Sequence, residues 1–191
     1  MPIKNKKYGA AIIGAGNIGF KFSLLKNNFA TTHFEAYQAN KQIKLVSIAE
    51  PDVAIHNDIK KRFVVAMHDG HVEMLKSAKP EIVSVCVPDH KHFEILKDAL
   101  NSGNIKGVWM EKPLAIDLSE ARAMVELCAK KKIPMLVNFV RRYDDFYKYI
   151  KNNLNKLVGD VQAVNFYYSG GIVTTGSHML DLLNYFFGEC D

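Results

Sequence analysis

The sequence predicts an α/β protein built on a doubly wound parallel sheet, and two observations lead to this fold class. Short apolar runs rich in β-branched residues alternate with segments of helical period through residue 139. Such alternation places helices on both faces of a parallel sheet. The first run also leads directly into a glycine-rich turn, a connection through which doubly wound sheets bind phosphate groups.

The predicted elements follow from this alternation in chain order. Strands are expected over residues 8–13, 43–49, 81–87, 105–110 and 133–139. Helices are expected from about residue 17, over residues 90–100 and over residues 118–130. The run at 81–87 is too apolar for a half-exposed strand, so we predict that it is buried on both faces.

The character of the sequence changes after Arg142. A helix is predicted over residues 143–157, an aromatic-rich strand over 161–168 and an amphipathic helix over 177–187. We therefore predict two domains, with residues 1–142 forming the parallel-sheet domain and residues 143–191 forming the start of a second domain.

The basic residues do not indicate a nucleic-acid partner. The net charge of +5 comes from lysines scattered along the chain, with short clusters at residues 4–7 and 130–132. A nucleic-acid-binding protein gathers such charge on one face or in an aromatic-studded groove. The second cluster falls at a predicted helix end, where cations interact favourably with the helix dipole. We interpret the lysines as a solvated surface.

The cysteines and the apolar segments indicate the cellular compartment in which we expect the protein. Cys86, Cys128 and Cys190 are odd in number and lack the spacing of metal ligands, so no metal site is expected and a reducing compartment is indicated. No stretch is long enough to span a bilayer, and the N-terminus lacks the features of a signal peptide. We expect a cytoplasmic protein without a membrane partner.

The glycine-rich turn has the pattern Gly-x-Gly-x-x-Gly and reads Gly14-Ala15-Gly16-Asn17-Ile18-Gly19. The first glycine permits a tight turn, the second allows the backbone to approach a pyrophosphate, and the third lets the following helix pack on the strand. A helix N-terminus then offers free N–H groups to the phosphates. Its position after a buried strand predicts a Rossmann-type dinucleotide site, with Asn17 and Ile18 among the contacts.

Glu50 is the second expected part of this site. It follows the predicted strand 43–49, where a carboxylate binds the ribose hydroxyls of an adenosine. It lies 31 residues beyond Gly19, farther than the usual spacing of about 20, so a longer crossover is required. The alternative is an exposed acid at a strand end. A carboxylate here repels a 2′-phosphate, which favours NAD over NADP.

Four further motifs follow the glycine-rich turn in order. They are Pro88-Asp89-His90-Lys91-His92, Glu111-Lys112-Pro113, Asn138-Phe139-Val140-Arg141-Arg142-Tyr143 and Gly176-Ser177-His178-Met179-Leu180-Asp181. Together, this set resembles the Gfo/Idh/MocA family of oxidoreductases, which includes glucose–fructose oxidoreductase and inositol dehydrogenase. The resemblance covers essentially the whole chain, from residue 8 to residue 189.

The resemblance implies roles for the first two motifs. Pro88 and His92 would line the edge of the cofactor, although His92 could instead cap or pack at a helix start. Glu111 and Lys112 would both contact the cofactor, with the Lys112 ammonium near the nicotinamide. The Lys112 ammonium would hydrogen-bond the reacting oxygen and stabilise its developing charge. Without the resemblance, a lysine at a strand end is most often a surface residue.

The resemblance also implies a substrate site. His178 would be the general base, and Asp181, on the same helix face, would orient it or bind substrate. The alternative for this pair is helix-surface polarity. Arg142 and Thr174 are assigned to the same substrate site. Many members carry an aspartate where this chain has Thr174, which places a Lys-Asp-His catalytic set in doubt and favours nucleotide-linked sugars weakly.

The resemblance finally sets two expectations for function. Family members are longer, with a broad C-terminal sheet that forms the substrate pocket and usually the oligomer interface. We therefore expect an incomplete α+β substrate domain here, and a homo-oligomer if that sheet is completed. The leading hypothesis is an NAD-dependent oxidoreductase that transfers hydride between nicotinamide and a ring hydroxyl of a sugar, cyclic polyol or nucleotide sugar. The alternative is a catalytically inactive NAD-binding fragment that acts as a partner or sensor module.

Overall fold

The computed structural model describes residues 7–25 and 30–189. The chain divides into two compact units, Met1–Val137 and Asn138–Asp191. The division falls at the end of the last strand of the sheet, a few residues before the change of character that the sequence shows at Arg142. Cys190 lies outside the described residues.

Six parallel strands form the sheet of the first unit. They are β1 (Tyr8–Ile13), β2 (Ile43–Ala49), β3 (Ala66–His68), β4 (Ile82–Val85), β5 (Gly107–Met110) and β6 (Met135–Val137). Their order is β3-β2-β1-β4-β5-β6, and every pair is parallel. This is the predicted α/β doubly wound sheet. The strand order reverses between β1 and β4, and ligands of such sheets bind at that reversal, beyond the carboxyl ends of the strands.

Five helices cover the sheet, and they define two hydrophobic cores. They are α1 (His33–Ala39), α2 (Val53–Arg62), α3 (His71–Ala78), α4 (His92–Asn101) and α5 (Leu118–Lys131). Strand β1 supplies both cores, because its successive side chains alternate between the faces. Ala10 and Ile12 pack with residues of α1 and α2. Ala11 and Ile13 pack with residues of α3, α4 and α5.

The helix predicted from about residue 17 is wrong. A turn follows Gly16 and leads into a short 3-10 helix, Lys21–Leu24. The amides of Lys21 and Phe22 bond five residues back, to Gly16 and Asn17, so the turn is wider than an α-helical turn and does not propagate as one. Helix α1 begins only at His33, where the Thr32 hydroxyl caps the helix by accepting the Glu35 amide. Residues 26–29 lie outside the described part of the chain.

The sequence interpretation also missed β3 together with α2 and α3. Strand β3 has three residues and lies at the edge of the sheet, beside β2. A signal for it was present, because the apolar run of residues 63–67 is followed by the turn dipeptide Asp69-Gly70. Helix α2 is capped by the Asp52 carboxylate, which accepts the amides of Ala54 and Ile55.

The second unit contains helices α6 (Asp145–Val158) and α7 (Ser177–Phe187). The predicted strand at 161–168 is wrong, because within the described residues this segment pairs with no other strand. Its apolar pattern fits a strand, but a strand exists only with a partner for its backbone groups. One π-helical turn, Ile172–Gly176, leads directly into α7. Among the described helices of both units, none has the length and apolarity of a membrane span.

Candidate active site

The glycine-rich turn has a physical requirement for glycine at two of its three positions and leaves the third open. Gly14 has a φ of +90°, and a Cβ there would lie 2.5 Å from the Cys86 carbonyl oxygen. A Cβ on Gly19 would lie 2.1 Å from the Gly14 carbonyl oxygen. A Cβ on Gly16 would meet no described atom within 4 Å. The turn is therefore closely packed at both ends, and Gly16 offers its backbone to a ligand.

Glu50 fixes this turn to the end of β2. One carboxylate oxygen of Glu50 accepts the Ala15 amide at 2.7 Å, and the other accepts the Asp52 amide at 3.0 Å. The side chain is buried, and the Glu50 amide donates to the His68 carbonyl in β3. Glu50 is thus not the exposed strand-end acid that the sequence left as an alternative. Each carboxylate oxygen keeps a further lone pair that can accept a hydrogen bond.

A cleft of about 380 Å³ opens beside the turn and Glu50. It lies beyond the carboxyl ends of three neighbouring strands: Ile13 and Ala49 are the last residues of β1 and β2, and Val87 lies two residues beyond the end of β4. Gly14, Gly16, Glu50 and Pro88 also line it, as the sequence predicts. Asn17 and Ile18 lie outside this lining. Asn17 is exposed, and Ile18 packs against the core around α1.

Several residues of this cleft were missed from the sequence. The loop after β3 contributes Asp69, Gly70 and His71, and the region around Pro88 contributes Cys86 and Lys91. The loop residues were missed because β3 itself was missed. Their signal was the Asp-Gly pair directly after an apolar run, which marks a chain reversal at the carboxyl end of a strand.

His92 does not line this cleft. It is 1% exposed, and its ring nitrogens contact the carbonyl oxygens of Val87 and Leu114 at 3.0 and 3.1 Å. This geometry corrects the prediction that His92 lines the cofactor edge and matches the alternative of packing at the helix start. The side chain links the loop after β4 to the loop after β5.

Glu111 also points into the protein, contrary to the prediction of a direct cofactor contact. Side chains alternate along β5, so Glu111 lies on the same face as Trp109, toward α1. One carboxylate oxygen of Glu111 contacts His33 Nε2 at 2.8 Å. His33 Nδ1 contacts the Ser84 hydroxyl at 2.8 Å, and that hydroxyl contacts the Tyr37 hydroxyl at 2.6 Å. All four of these polar side chains are buried.

His33, Tyr37 and Ser84 were missed from the sequence. His33 and Tyr37 are four residues apart in α1 and therefore share one helix face. Ser84 is a lone polar residue in the apolar run of β4. A buried hydroxyl needs a hydrogen-bond partner, which was the available signal, but the sequence alone does not identify the partner.

Lys112 begins the turn that leaves β5. Its side chain is half-buried, and its backbone amide donates to the second carboxylate oxygen of Glu111 at 3.4 Å. The peptide bond between Lys112 and Pro113 is cis. Lys112 therefore lies at the carboxyl edge of the sheet, where the sequence places it.

Cys86 contributes an inert thiol to the cleft. Burial raises the pKa of the Cys86 thiol well above its usual range, and the negative charge of Glu111 raises it further. The thiolate is the reactive form of cysteine. Cys86 therefore remains a protonated lining residue near neutral pH.

In the second unit, the π-helical turn presents His178 at the start of α7. The His178 ring packs edge-to-face against Phe139, with ring centroids 6.0 Å apart. A Cβ on Gly176 would lie 3.0 Å from the Tyr168 ring, which explains the glycine of this motif. The Thr174 hydroxyl donates to the Gly171 carbonyl at 3.0 Å. Thr174 thus contributes to the local turn of the chain.

Arg142 and Asp181, both assigned to the substrate site from the sequence, bind one another. Arg142 Nε donates to an Asp181 carboxylate oxygen at 2.8 Å. Burial raises the pKa of Asp181, and the neighbouring Arg142 and Arg141 only partly offset this. The contact fixes α7 to the 3-10 turn Val140–Arg142.

Comparison with known families identifies the chain. Residues 8–139 match the Gfo/Idh/MocA family, described as an oxidoreductase family with an NAD-binding Rossmann fold. The chain belongs to this family. The resemblance drawn from the motifs is thereby confirmed, and the matched residues include the glycine-rich turn.

Relatives of known activity include two dehydrogenases. Inositol 2-dehydrogenase of Rhizobium meliloti is 23% identical over 155 residues, which cover 80% of this chain and 42% of that protein. D-glucoside 3-dehydrogenase of Escherichia coli K12 is 26% identical over 199 residues, covering 93% and 53% respectively. The chain therefore spans about half the length of these Gfo/Idh/MocA relatives.

Solved structures show the same fold. Myo-inositol 2-dehydrogenase from Lactobacillus plantarum superposes with a TM-score of 0.78 at 24% identity, covering 96% of this chain and 57% of that one. Scyllo-inositol dehydrogenase from Lactobacillus casei, solved with bound NAD(H) and scyllo-inositol, gives a TM-score of 0.75 at 20% identity, covering 96% of this chain and 57% of that one.

Proposed function

We propose that this chain is the NAD-binding part of an oxidoreductase that transfers hydride between nicotinamide and a ring hydroxyl of a sugar, cyclic polyol or nucleotide sugar. The observation that carries the proposal is the hydrogen bond between Glu50 and the Ala15 amide. It holds a carboxylate beside the open backbone of Gly16 in one cleft. A dinucleotide site needs these two features together, one for the ribose and one for the pyrophosphate.

The residues of the cleft fit NAD better than NADP. Glu50, Asp69 and Glu94 line the cleft with negative charge, and Lys91 is a basic residue of the same lining. A 2′-phosphate would be repelled by carboxylates at the adenosine end. Glu50 would accept the ribose hydroxyls through its remaining lone pairs, and the backbone around Gly16 would receive the pyrophosphate.

Lys112 would act on the substrate oxygen. When bound, the nicotinamide supplies the hydride acceptor. The Lys112 ammonium would donate a hydrogen bond to the reacting hydroxyl oxygen and stabilise the negative charge that develops there. His178 would accept the hydroxyl proton as general base. Arg142 and Asp181 would support the substrate site through their contact with one another.

The substrate class is proposed from the chemistry of the relatives. An inositol dehydrogenase and a glucoside dehydrogenase both oxidise ring hydroxyls, and both match most of this chain. We therefore expect Lys112 to bind a ring hydroxyl that has other hydroxyl groups on the neighbouring ring carbons. Thr174 donates its hydroxyl hydrogen to the Gly171 carbonyl, and its side chain has no carboxylate to offer a substrate.

The same residue supports a second candidate. Thr174 stands where many members carry an aspartate, and this difference favours an NAD-binding module without turnover that acts as a partner or sensor. The two candidates share the cleft and differ in Lys112. Turnover that is lost in Lys112→Ala supports the enzyme, whereas NAD binding without turnover of any polyol supports the module.

The first test is a titration of the protein with NADH and, separately, with NADPH. Trp109 is the only tryptophan of the chain, so quenching or energy transfer to bound nicotinamide reports binding. We expect NADH to bind at least about tenfold more tightly than NADPH, a difference of about 1.4 kcal/mol. Absence of binding by folded protein would refute the dinucleotide site, and equal binding would refute the role of the acidic lining.

The second test measures turnover with Lys112→Ala. Inositols and glucosides are screened with NAD, and any active substrate is repeated with Lys112→Ala and Lys112→Arg. The alanine variant is expected to lose about 10²–10³-fold in kcat with nearly unchanged NADH affinity. The arginine variant keeps the charge but alters the donor geometry. Undiminished turnover in the alanine variant would remove the proposed role of Lys112.

A further inference from the structure

A chain of four buried polar side chains lies behind the turn that carries Lys112. It runs from Tyr37 through Ser84 and His33 to Glu111, with successive contacts of 2.6, 2.8 and 2.8 Å. All four side chains belong to the first unit. A buried polar group destabilises the folded protein unless it has a hydrogen-bond partner. Four such groups bonded in series therefore indicate a specific role in the protein.

The hydrogen bonds of this series can all be assigned the same direction, from Tyr37 toward Glu111. Burial raises the pKa of Tyr37, so its hydroxyl keeps its proton and can donate to Ser84. The Ser84 hydroxyl then donates to His33 Nδ1, and His33 Nε2–H donates to the Glu111 carboxylate. In this direction, each of the three donors has an acceptor. If the hydrogen bonds ran in the reverse direction, from Glu111 toward Tyr37, none of the other three side chains would accept the Tyr37 proton.

This series of four hydrogen-bonded side chains ends at the backbone amide of Lys112. His33 holds one carboxylate oxygen of Glu111, and the Lys112 amide donates to the other at 3.4 Å. The Glu111 amide is fixed in turn by the Val85 carbonyl at 3.0 Å. Trp109 closes one side of His33, with ring centroids 3.9 Å apart. His33 therefore has little freedom, and it transmits that restraint to Glu111.

We propose that His33 is a positioning residue for Lys112, acting through the Glu111 carboxylate. This inference rests on the proposed role of Lys112 in hydride transfer. With the donor of His33 in place, Glu111 keeps both of its oxygens directed at His33 and the Lys112 amide. Without that donor, the buried carboxylate loses a charge-assisted hydrogen bond and turns toward other donors, which releases the start of the lysine turn.

Two substitutions separate hydrogen bonding from packing. In His33→Gln, the amide nitrogen is the same number of bonds from Cβ as Nε2, so it can still donate to Glu111. In His33→Asn, the amide nitrogen corresponds to Nδ1, so it can reach Ser84 but not Glu111. Both variants place a smaller polar amide in the same buried space. Because asparagine is one methylene group smaller than glutamine, a loss of packing alone would also be greater in His33→Asn. His33→Met has the length of glutamine without its N–H donor, so it separates the two effects and is expected to behave like His33→Asn.

Turnover is the first measurement, made on the full chain with a substrate that the wild-type protein oxidises. His33→Asn is expected to lose about 10–100-fold in kcat, the range known for groups that orient a functional residue from behind. The affinity for NADH should change by less than about threefold, because His33 does not line the cleft. His33→Gln should recover kcat to within about threefold of the wild type.

Chemical labelling of Lys112 gives a measurement that does not need turnover. The acetylation rate of the Lys112 amine by N-acetoxysuccinimide is read by mass spectrometry against the exposed Lys61 of α2. His33→Asn is expected to change the ratio of the two rates by about threefold or more, and His33→Gln should leave it near the wild-type ratio.

The outcomes separate this inference from the proposed function. A wild-type protein without turnover counts against the enzyme, but a labelling ratio altered only in His33→Asn still supports positioning of Lys112. A wild-type protein that turns over, with equal kcat and labelling in His33→Asn, overturns the positioning role alone. Equal losses in both variants also overturn it, because they assign His33 to packing.

Discussion

Glu50 accepts the Ala15 amide at 2.7 Å, so the acid at the end of β2 and the glycine-rich turn after β1 form one connected structure. The two were inferred from the sequence as separate contacts, one for ribose and one for phosphate. In the structure, a change in the Glu50 side chain necessarily alters the turn as well. The binding of the adenosine ribose and of the pyrophosphate would therefore both respond to a single substitution.

Glu50→Gln tests this coupling. A glutamine has one acceptor oxygen, so one of the Ala15 and Asp52 amides would face an NH₂ group instead. We expect NADH affinity to fall about tenfold and the preference for NADH over NADPH to narrow, because a negative charge is removed. The titration described above measures both. Glu94→Gln, at another acid of the cleft lining, is the control and should have the smaller effect.

Alanine substitutions at Gly16 and Gly19 should affect different properties: the first NADH binding, and the second the stability of the fold. Gly19→Ala places a Cβ 2.1 Å from the Gly14 carbonyl oxygen, so we expect about 2–3 kcal/mol lower stability from overpacking. Gly16→Ala meets no described atom within 4 Å, so it should unfold like the wild type but bind NADH about tenfold more weakly. Chemical denaturation and the NADH titration measure the two effects. A Gly16→Ala variant with undiminished affinity would contradict the assigned pyrophosphate position.

The alkylation rate of the Cys86 thiol should depend on the charge of Glu111. Burial, followed by the Glu111 charge, raises the pKa of Cys86, so its alkylation by iodoacetamide near pH 8 should be slow in folded protein. Glu111→Gln removes that charge, lowers the pKa of Cys86 and should accelerate its labelling about threefold. Cys128 is the internal control, because burial is the cause of its raised pKa. Peptide mass spectrometry resolves the two sites, and equal acceleration of both would indicate general loosening.

The contact between Arg142 and Asp181 should show a pH-dependent contribution to stability. The pKa of Asp181 is raised in the folded protein by burial, so the folded state binds more protons than the unfolded state between the ordinary and the raised pKa. Stability therefore falls as pH rises through that window. Arg142→Ala should deepen this fall, because the aspartate loses the partner that offsets its burial.

The magnitude is modest because Arg142 is 36% exposed and solvent screens the pair. We expect about 1 kcal/mol of destabilisation by Arg142→Ala near pH 7.5 and clearly less near pH 3.5, which lies below the ordinary pKa of an aspartate and so below the raised pKa of Asp181. Urea denaturation at the two pH values measures it. Asp181→Asn combined with Arg142→Ala should remove the difference between the two pH values, and a difference that persists would assign the effect to another group.

The sequence was sufficient for the parts of the fold that repeat a physical pattern. The strand Ile43–Ala49 and the helix Ser177–Phe187 have the bounds predicted from apolar periodicity. The Gly14–Gly19 turn was identified because close backbone packing and a positive φ demand glycine. Glu50 was placed correctly at the end of its strand, beside the cleft. Its hydrogen bond to Ala15 was not predicted, because that contact depends on how two crossovers meet.

The failures have physical causes of the same kind. The segment at 161–168 has the alternation of a strand, but pairing depends on a neighbour that periodicity does not reveal. The short β3 is three residues long, below the length at which periodicity is readable. The contact between His33 and Glu111 joins residues 78 positions apart in the sequence, and a single sequence carries no signal for such a contact.

The two-unit division also bears on how this protein changes over generations. The hydrogen bonds described for Glu50, Glu111 and His92 all close within Met1–Val137. A mutation after residue 137 replaces none of the partners in those bonds. Substitutions in the second stretch of the gene can therefore accumulate while these inherited contacts of the first unit keep the same partners.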